Sequence, residues 1–97
     1  MSNTVWIAND TGLLNYRPAE KYGTIKVLTY RHTANVFQLH EVARVMRRAL
    51  AHMQRDDWIL VAGALMFSVI ACAVQLKKFG RLRVLLWHAK ENTYWPR

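Results

Sequence analysis

Trp58-Ile-Leu-Val-Ala-Gly-Ala-Leu-Met-Phe-Ser-Val-Ile-Ala-Cys-Ala-Val-Gln-Leu76 runs without a charged residue between Asp56-Asp57 and Lys77-Lys78, and how it divides decides the fold. Undivided, it has the ~19-residue length of a membrane-spanning helix. Lys77, Lys78, Arg81 and Arg83 follow it, and Ala64, Ser68 and Cys72 form a small-xxx-small stripe of the kind that lets helices meet in lipid. Divided at Gly63, it becomes a strand, Trp58–Ala62, and a helix from Ala64 to Lys78 that stops at Gly80, a preferred residue just past a helix end. Two features favour the divided reading. The segment after Gly80, Arg83 to His88, is a further apolar strand that completes a βαβ unit and has no role in a simple span. Arg44, Arg47, Arg48 and Arg55 put positive charge upstream as well, which blurs any positive-inside signal. A single membrane span remains the alternative.

Upstream of that run the pattern repeats. Thr4–Ala8 is rich in strand formers and stops at the turn cluster Asn9-Asp10-Thr11-Gly12. Arg17–Gly23 reads as one or two helical turns, opened by Pro18 and closed by Gly23. Thr24–Tyr30 alternates like a strand. With Asn35 as N-cap, a long helix follows over roughly Val36 to Gln54. At ~100° per residue, Leu39, Val42, Met46, Ala49, Leu50 and Met53 fall on one side of it. Arg44, Arg47, Arg48 and Arg55 fall on the other, with His40 among them. Lys90-Glu91-Asn92 reads as a turn, and Thr93–Trp95 as a short strand pairing back.

Strands alternating with helices imply a mostly parallel sheet. The expected architecture is one α/β domain over residues 1–97: a small, Rossmann-like sheet of about four strands, two long helices and a short C-terminal edge strand. A helix over Ala64–Leu76 with only Ser68 and Gln75 clearly polar is apolar almost all round, and such a helix is normally buried on more than one side. A chain of 97 residues has little left to cover it, so a homo-oligomer is expected, most simply a two-fold dimer.

Composition narrows the partner. Fourteen Lys and Arg against six Asp and Glu give a net charge of +8, which favours polyanions: nucleic acid, an acidic protein surface or anionic lipid. Cys72 is the single cysteine, so no internal disulfide forms, and a reducing, cytoplasmic location is the natural expectation. Met1–Asp10 has neither the basic start nor the long apolar stretch of a signal peptide.

Catalytic signals are weak. His32, His40, His52 and His88 show no metal-ligand spacing, and no cofactor motif is present. Ser68 and Cys72 sit in the most apolar helix, without a base near in sequence. No metal, cofactor or enzymatic activity is expected. Two places suit an anion: the loop Asn9, Asp10, Thr11, Gly12, and Gly63 at a strand-to-helix junction. Neither matches a complete phosphate-binding motif.

The arginine face is the stronger lead. Arg44, Arg47, Arg48 and Arg55, with the second group Lys77, Lys78, Arg81 and Arg83, form a surface able to neutralise phosphates. Trp87, Tyr94 and Trp95 offer rings for stacking. The leading expectation is therefore a non-catalytic protein that binds nucleic acid mainly through phosphates. The alternatives are a small inhibitor or adaptor for an acidic protein, a nucleotide- or anion-binding module, and a membrane anchor. A compact domain without a catalytic set suits a phage or mobile-element protein.

Overall fold

The computed structural model describes residues 3–10, 12, 15–28, 39–63 and 65–97, with the side chains of residues 39–42 left undescribed. The chain is α/β, built on a five-stranded sheet: β1 (Thr4–Ile7), β2 (Thr24–Val27), β3 (Trp58–Leu60), β4 (Val84–His88) and β5 (Thr93–Pro96), in the order β2-β1-β3-β4-β5. β1 pairs in parallel with both β2 and β3, β3 pairs in parallel with β4, and β5 returns antiparallel to β4. Two helices, α1 (Leu39–Ala49) and α2 (Leu65–Phe79), and a 3-10 helix (Arg17–Tyr22) complete it.

The decisive run is divided. Trp58–Leu60 is strand, Gly63 turns with φ 74°, and α2 begins at Leu65. α2 spans 15 residues, and among the described residues no helix is long and apolar enough to cross a membrane. The single-span alternative fails on this division.

From β1 the chain steps to β2 on one side, then crosses back to β3 and β4 on the other. Right-handed crossovers running in opposite directions place their connections on opposite faces, and the packing follows. Met46, Leu50 and Met53 join Phe67 and Ala71 of α2 over Trp6, Ala8 and Ile59 on one face. Ala19 of the 3-10 helix, with Tyr16 and Tyr22 beside it, packs over Val5, Ile7, Leu60 and Leu85 on the other. Successive strand residues thus alternate between two cores, as the period of 2 requires. Both long helices share one face, and the second is covered by a short helix and aromatic rings. This departs from the doubly wound cover that a Rossmann-like sheet implies.

The first long helix ends earlier than its sequence suggests. It tightens to a 3-10 turn over Leu50–His52, with the Met53 N–H bonded to the Leu50 carbonyl at 3.0 Å. Asn35 and Val36, its expected cap and start, lie outside the described residues. α2 leaves its outer side uncovered within one chain, as its apolar circumference and the short chain imply. Phe67, Ser68, Ala71 and Gln75 are buried, but Leu65 is 73% exposed, Val69 56% and Leu76 49%. Within one chain, α2 is buried on one side only.

Candidate functional site

The parallel strands begin at one edge of the sheet, and there the chain is tied together by Asp57. This carboxylate is 2% exposed and accepts from the Thr4 N–H at 2.9 Å, the Trp6 indole N–H at 3.0 Å and the Gln54 N–H at 2.8 Å. Its backbone carbonyl accepts from the Gln75 side-chain amide, whose oxygen in turn accepts from the Arg83 N–H. Asp57 thus joins β1, the loop before β3 and α2. Gln75, one of two polar positions in an apolar helix, is 1% exposed and both ends of its amide are bonded. A buried polar group in such a run must find partners, which is the signal that pointed to it.

The eight basic residues expected to form a binding surface divide into two sets at this same edge. Lys78 points its ammonium at the carbonyls of Leu50, Ala51 and Met53, at 3.4, 2.8 and 3.0 Å, capping the end of the neighbouring helical segment. Arg81 pairs with Asp56 at 2.7 Å. Arg83 lies over the Trp58 ring at 3.9 Å and donates to the Asp56 carbonyl. These three are engaged with other groups of the chain. Arg47 and Arg48 in the last turn of α1, Arg55 in the loop before β3, and Lys77 in the last turn of α2 are exposed. No hydrogen bond or ion pair engages their side chains among the described residues. Arg44 is exposed one turn earlier on α1.

The anion loop and Gly63 meet at the opposite edge, where strand order reverses between β1 and β3. A Cβ on Gly63 would collide with the backbone oxygen and side chain of Asn9, which is 3% exposed. Asp10 Oδ1 accepts from the Gly12 N–H at 2.8 Å and from the Tyr16 hydroxyl at 3.0 Å. Burial, and then the Asp10 carboxylate, raise the Tyr16 hydroxyl well above the ordinary tyrosine range. Thr11 lies outside the described residues. The described residues of the expected anion loop and Gly63 thus lie beside one another, with the Asp10 carboxylate turned to the Gly12 N–H and the Tyr16 hydroxyl.

The Ser68 hydroxyl donates to the Ala62 carbonyl at 3.3 Å, and burial raises the Cys72 thiol, keeping it protonated. No three His, Cys, Asp or Glu side chains among the described residues come together to hold a metal ion. His52 is exposed; His32 and the His40 side chain lie outside the described residues. His88 stacks on Trp95 with ring centres 3.7 Å apart and planes 10° from parallel, a pairing sequence reasoning missed because it needs the β4–β5 register. Of the expected stacking rings, Tyr94 is fully buried, bonded to the Asn15 carbonyl, and burial raises its hydroxyl. Trp87 packs edge-on against it. Trp95 alone of the three lies toward the other face.

Clefts lined by described residues include two of note. The larger, about 720 Å³, lies between Asn3, Glu20–Gly23 and the start of β2, and contains none of the expected site residues. The smaller, about 260 Å³, is lined by Leu86, Trp87, His88, Trp95 and Arg97.

No curated protein and no solved structure matches the chain. One family model does, described as phage Pam3 gp32-like protein, and it matches residues 4–97. Matched over almost its whole length, the chain belongs to the phage Pam3 gp32-like protein family.

Proposed function

We propose that this phage-family protein is a non-catalytic binding module that presents Arg47, Arg48, Arg55 and Lys77 to nucleic acid, contacting mainly phosphates. The observation that carries the reading is the division of the basic residues. Where Lys78, Arg81 and Arg83 are consumed by the fold, these four extend into solvent at one edge of the sheet, on a chain of net charge +8. Three are arginines, whose planar fork matches phosphate oxygens and stays charged. Cys72, half-buried and the single cysteine of the sequence, suits action in a reducing compartment such as the cytoplasm.

Fluorescence anisotropy of labelled single-stranded DNA, duplex DNA and RNA over a salt series tests this. Log affinity should fall linearly with log salt, by roughly 0.9 per phosphate neutralised on duplex DNA. Replacing Arg47 and Arg48 together by Ala should weaken all sequences alike and flatten the slope by about 2 on the same rule. Absence of binding at low salt overturns the reading.

An acidic protein surface is the second partner class, favoured by the family: a compact, non-catalytic phage domain suits an inhibitor or adaptor. One stoichiometric protein that co-purifies despite nuclease would select it. The exposed Leu65, Val69 and Leu76 supply the reason to propose a two-fold dimer through α2, checked by light scattering on the eluting species.

A further inference from the structure

We propose that the stack of His88, Trp95 and Arg97 on the helix-side face of β4 and β5 is a base-stacking platform, so that the ligand is unpaired rather than duplex nucleic acid. The proposal rests on the phosphate-binding reading above and specifies what lies next to the phosphates.

The register builds the platform. Leu86 pairs with Trp95 and His88 with Thr93 in the antiparallel ladder, and Arg97 exchanges backbone hydrogen bonds with Val84 at 2.8 and 3.2 Å. Residues directly opposite share a face, as do residues two apart along a strand. Val84, which packs with the α1–α2 core, therefore puts Leu86, His88, Trp95 and Arg97 on that same face. His88 and Arg97 approach Trp95 from its two ends along the strand. The imidazole centre lies 3.7 Å from the indole centre, and the guanidinium carbon 4.9 Å. Indole, imidazole and guanidinium are the flat groups on which proteins stack unpaired bases.

Three further observations give the platform its ligand. The adjoining cleft, about 260 Å³, falls just below the ~300–1,000 Å³ of ordinary small-molecule sites, room for one ring system rather than a large cofactor. His88 and Trp95 remain part-exposed and Leu86 is 41% exposed, so among the described residues no element closes the face. Finally, Arg97 lies opposite Val84, at the edge of the sheet where β4 starts and where α2 ends with Lys77. A strand whose phosphates follow those cations is thereby led onto the rings. A duplex, with its bases already stacked inside, gains nothing from them.

Anisotropy with three probes of matched charge separates the possibilities: a mixed-sequence single strand, its duplex, and poly-glutamate, which is acidic but has no bases. The single strand should bind most tightly. Trp95→Ala should weaken it about five- to 150-fold, the range for one lost base stack, and leave the duplex and the salt slope unchanged. Trp95→Phe should restore most of the loss, which a merely unfolded variant would not. Equal affinity for strand and duplex, both above poly-glutamate, with Trp95→Ala silent, overturns the platform while the Arg47 and Arg48 effect keeps the phosphate reading, whereas poly-glutamate binding as tightly as nucleic acid overturns both. Loss of every interaction in the wild-type protein overturns both.

Discussion

The two edges of the sheet are made from similar materials, a loop carrying an aspartate beside a helix end, yet they do opposite things. At the edge where the parallel strands begin, Asp57 is buried and gathers three N–H donors, while cations crowd around it and several stay in solvent. At the edge where they end, Asn9 is pressed against Gly63, and Asp10 ties its own loop to Tyr16. In open parallel sheets ligands commonly bind at the second edge, beside the reversal of strand order. Here the described residues of that edge are engaged with one another, Asn9 with Gly63 and Asp10 with Gly12 and Tyr16. The free charge stands at the first. The difference teaches that topology nominates a place for a site, but the side chains decide whether it is open.

The sharpest way to break the comparison is to remove the carboxylate that organises the first edge. Asp57→Asn keeps the volume but sets an amide donor among three donors, and hydrogen bonds to a charged group contribute ~1.5–3 kcal/mol each. A loss of about 3 kcal/mol in urea unfolding is expected, equivalent to a fall in melting temperature on the order of 15 °C for a domain this size. The neighbouring Asp56→Asn removes only an exposed pair with Arg81 and should change stability by less than ~1 kcal/mol. Equal effects from the two would mean that Asp57 does not hold this edge together.

That contrast also marks what was legible in the sequence. Adjacent aspartates look alike in a string of letters, and nothing local says that one meets Thr4 and Trp6 from fifty residues away. The strands were readable because each carries its own apolar pattern, and Gly63 signalled the break in the long apolar run because a turn there needs a residue without a side chain. The basic residues were readable as a group but not as two groups. Which lysine of Lys77-Lys78 caps a neighbour depends on the rotation of α2 against α1, a tertiary quantity. Likewise the His88–Trp95 stack follows from the hairpin register and not from either residue's surroundings in the chain.

Gly63→Ala probes the other edge, with a smaller expected effect. A non-glycine residue at positive φ is strained by ~1 kcal/mol or more, and the added methyl must also displace Asn9. A loss of about 2 kcal/mol is expected by chemical denaturation. Gly12→Ala is the control, since Gly12 also has positive φ (82°) but open space around its Cβ position, leaving only the strain of about 1 kcal/mol. If the two substitutions proved equal, the space beside Asn9 would be able to open. The end of the sheet would then regain standing as a ligand site.

The smallest effect separates two neighbours within the basic edge. Lys78→Met keeps most of the side chain's length and removes the ammonium that three carbonyls share, so stability should fall by about 1 kcal/mol. Lys77→Met touches no partner and should stay within ~0.5 kcal/mol of the parent protein. Binding should reverse the order. If Lys77 neutralises a phosphate, its loss lowers the salt slope on duplex DNA by about 0.9, whereas losing Lys78, already committed to the end of the α1 segment, leaves the slope in place. Opposite rankings in the two measurements are what a division of labour between adjacent lysines requires. Parallel rankings would mean that the cations act as one pool of charge, and that the hydrogen bonds of Lys78 do not withdraw it from the surface.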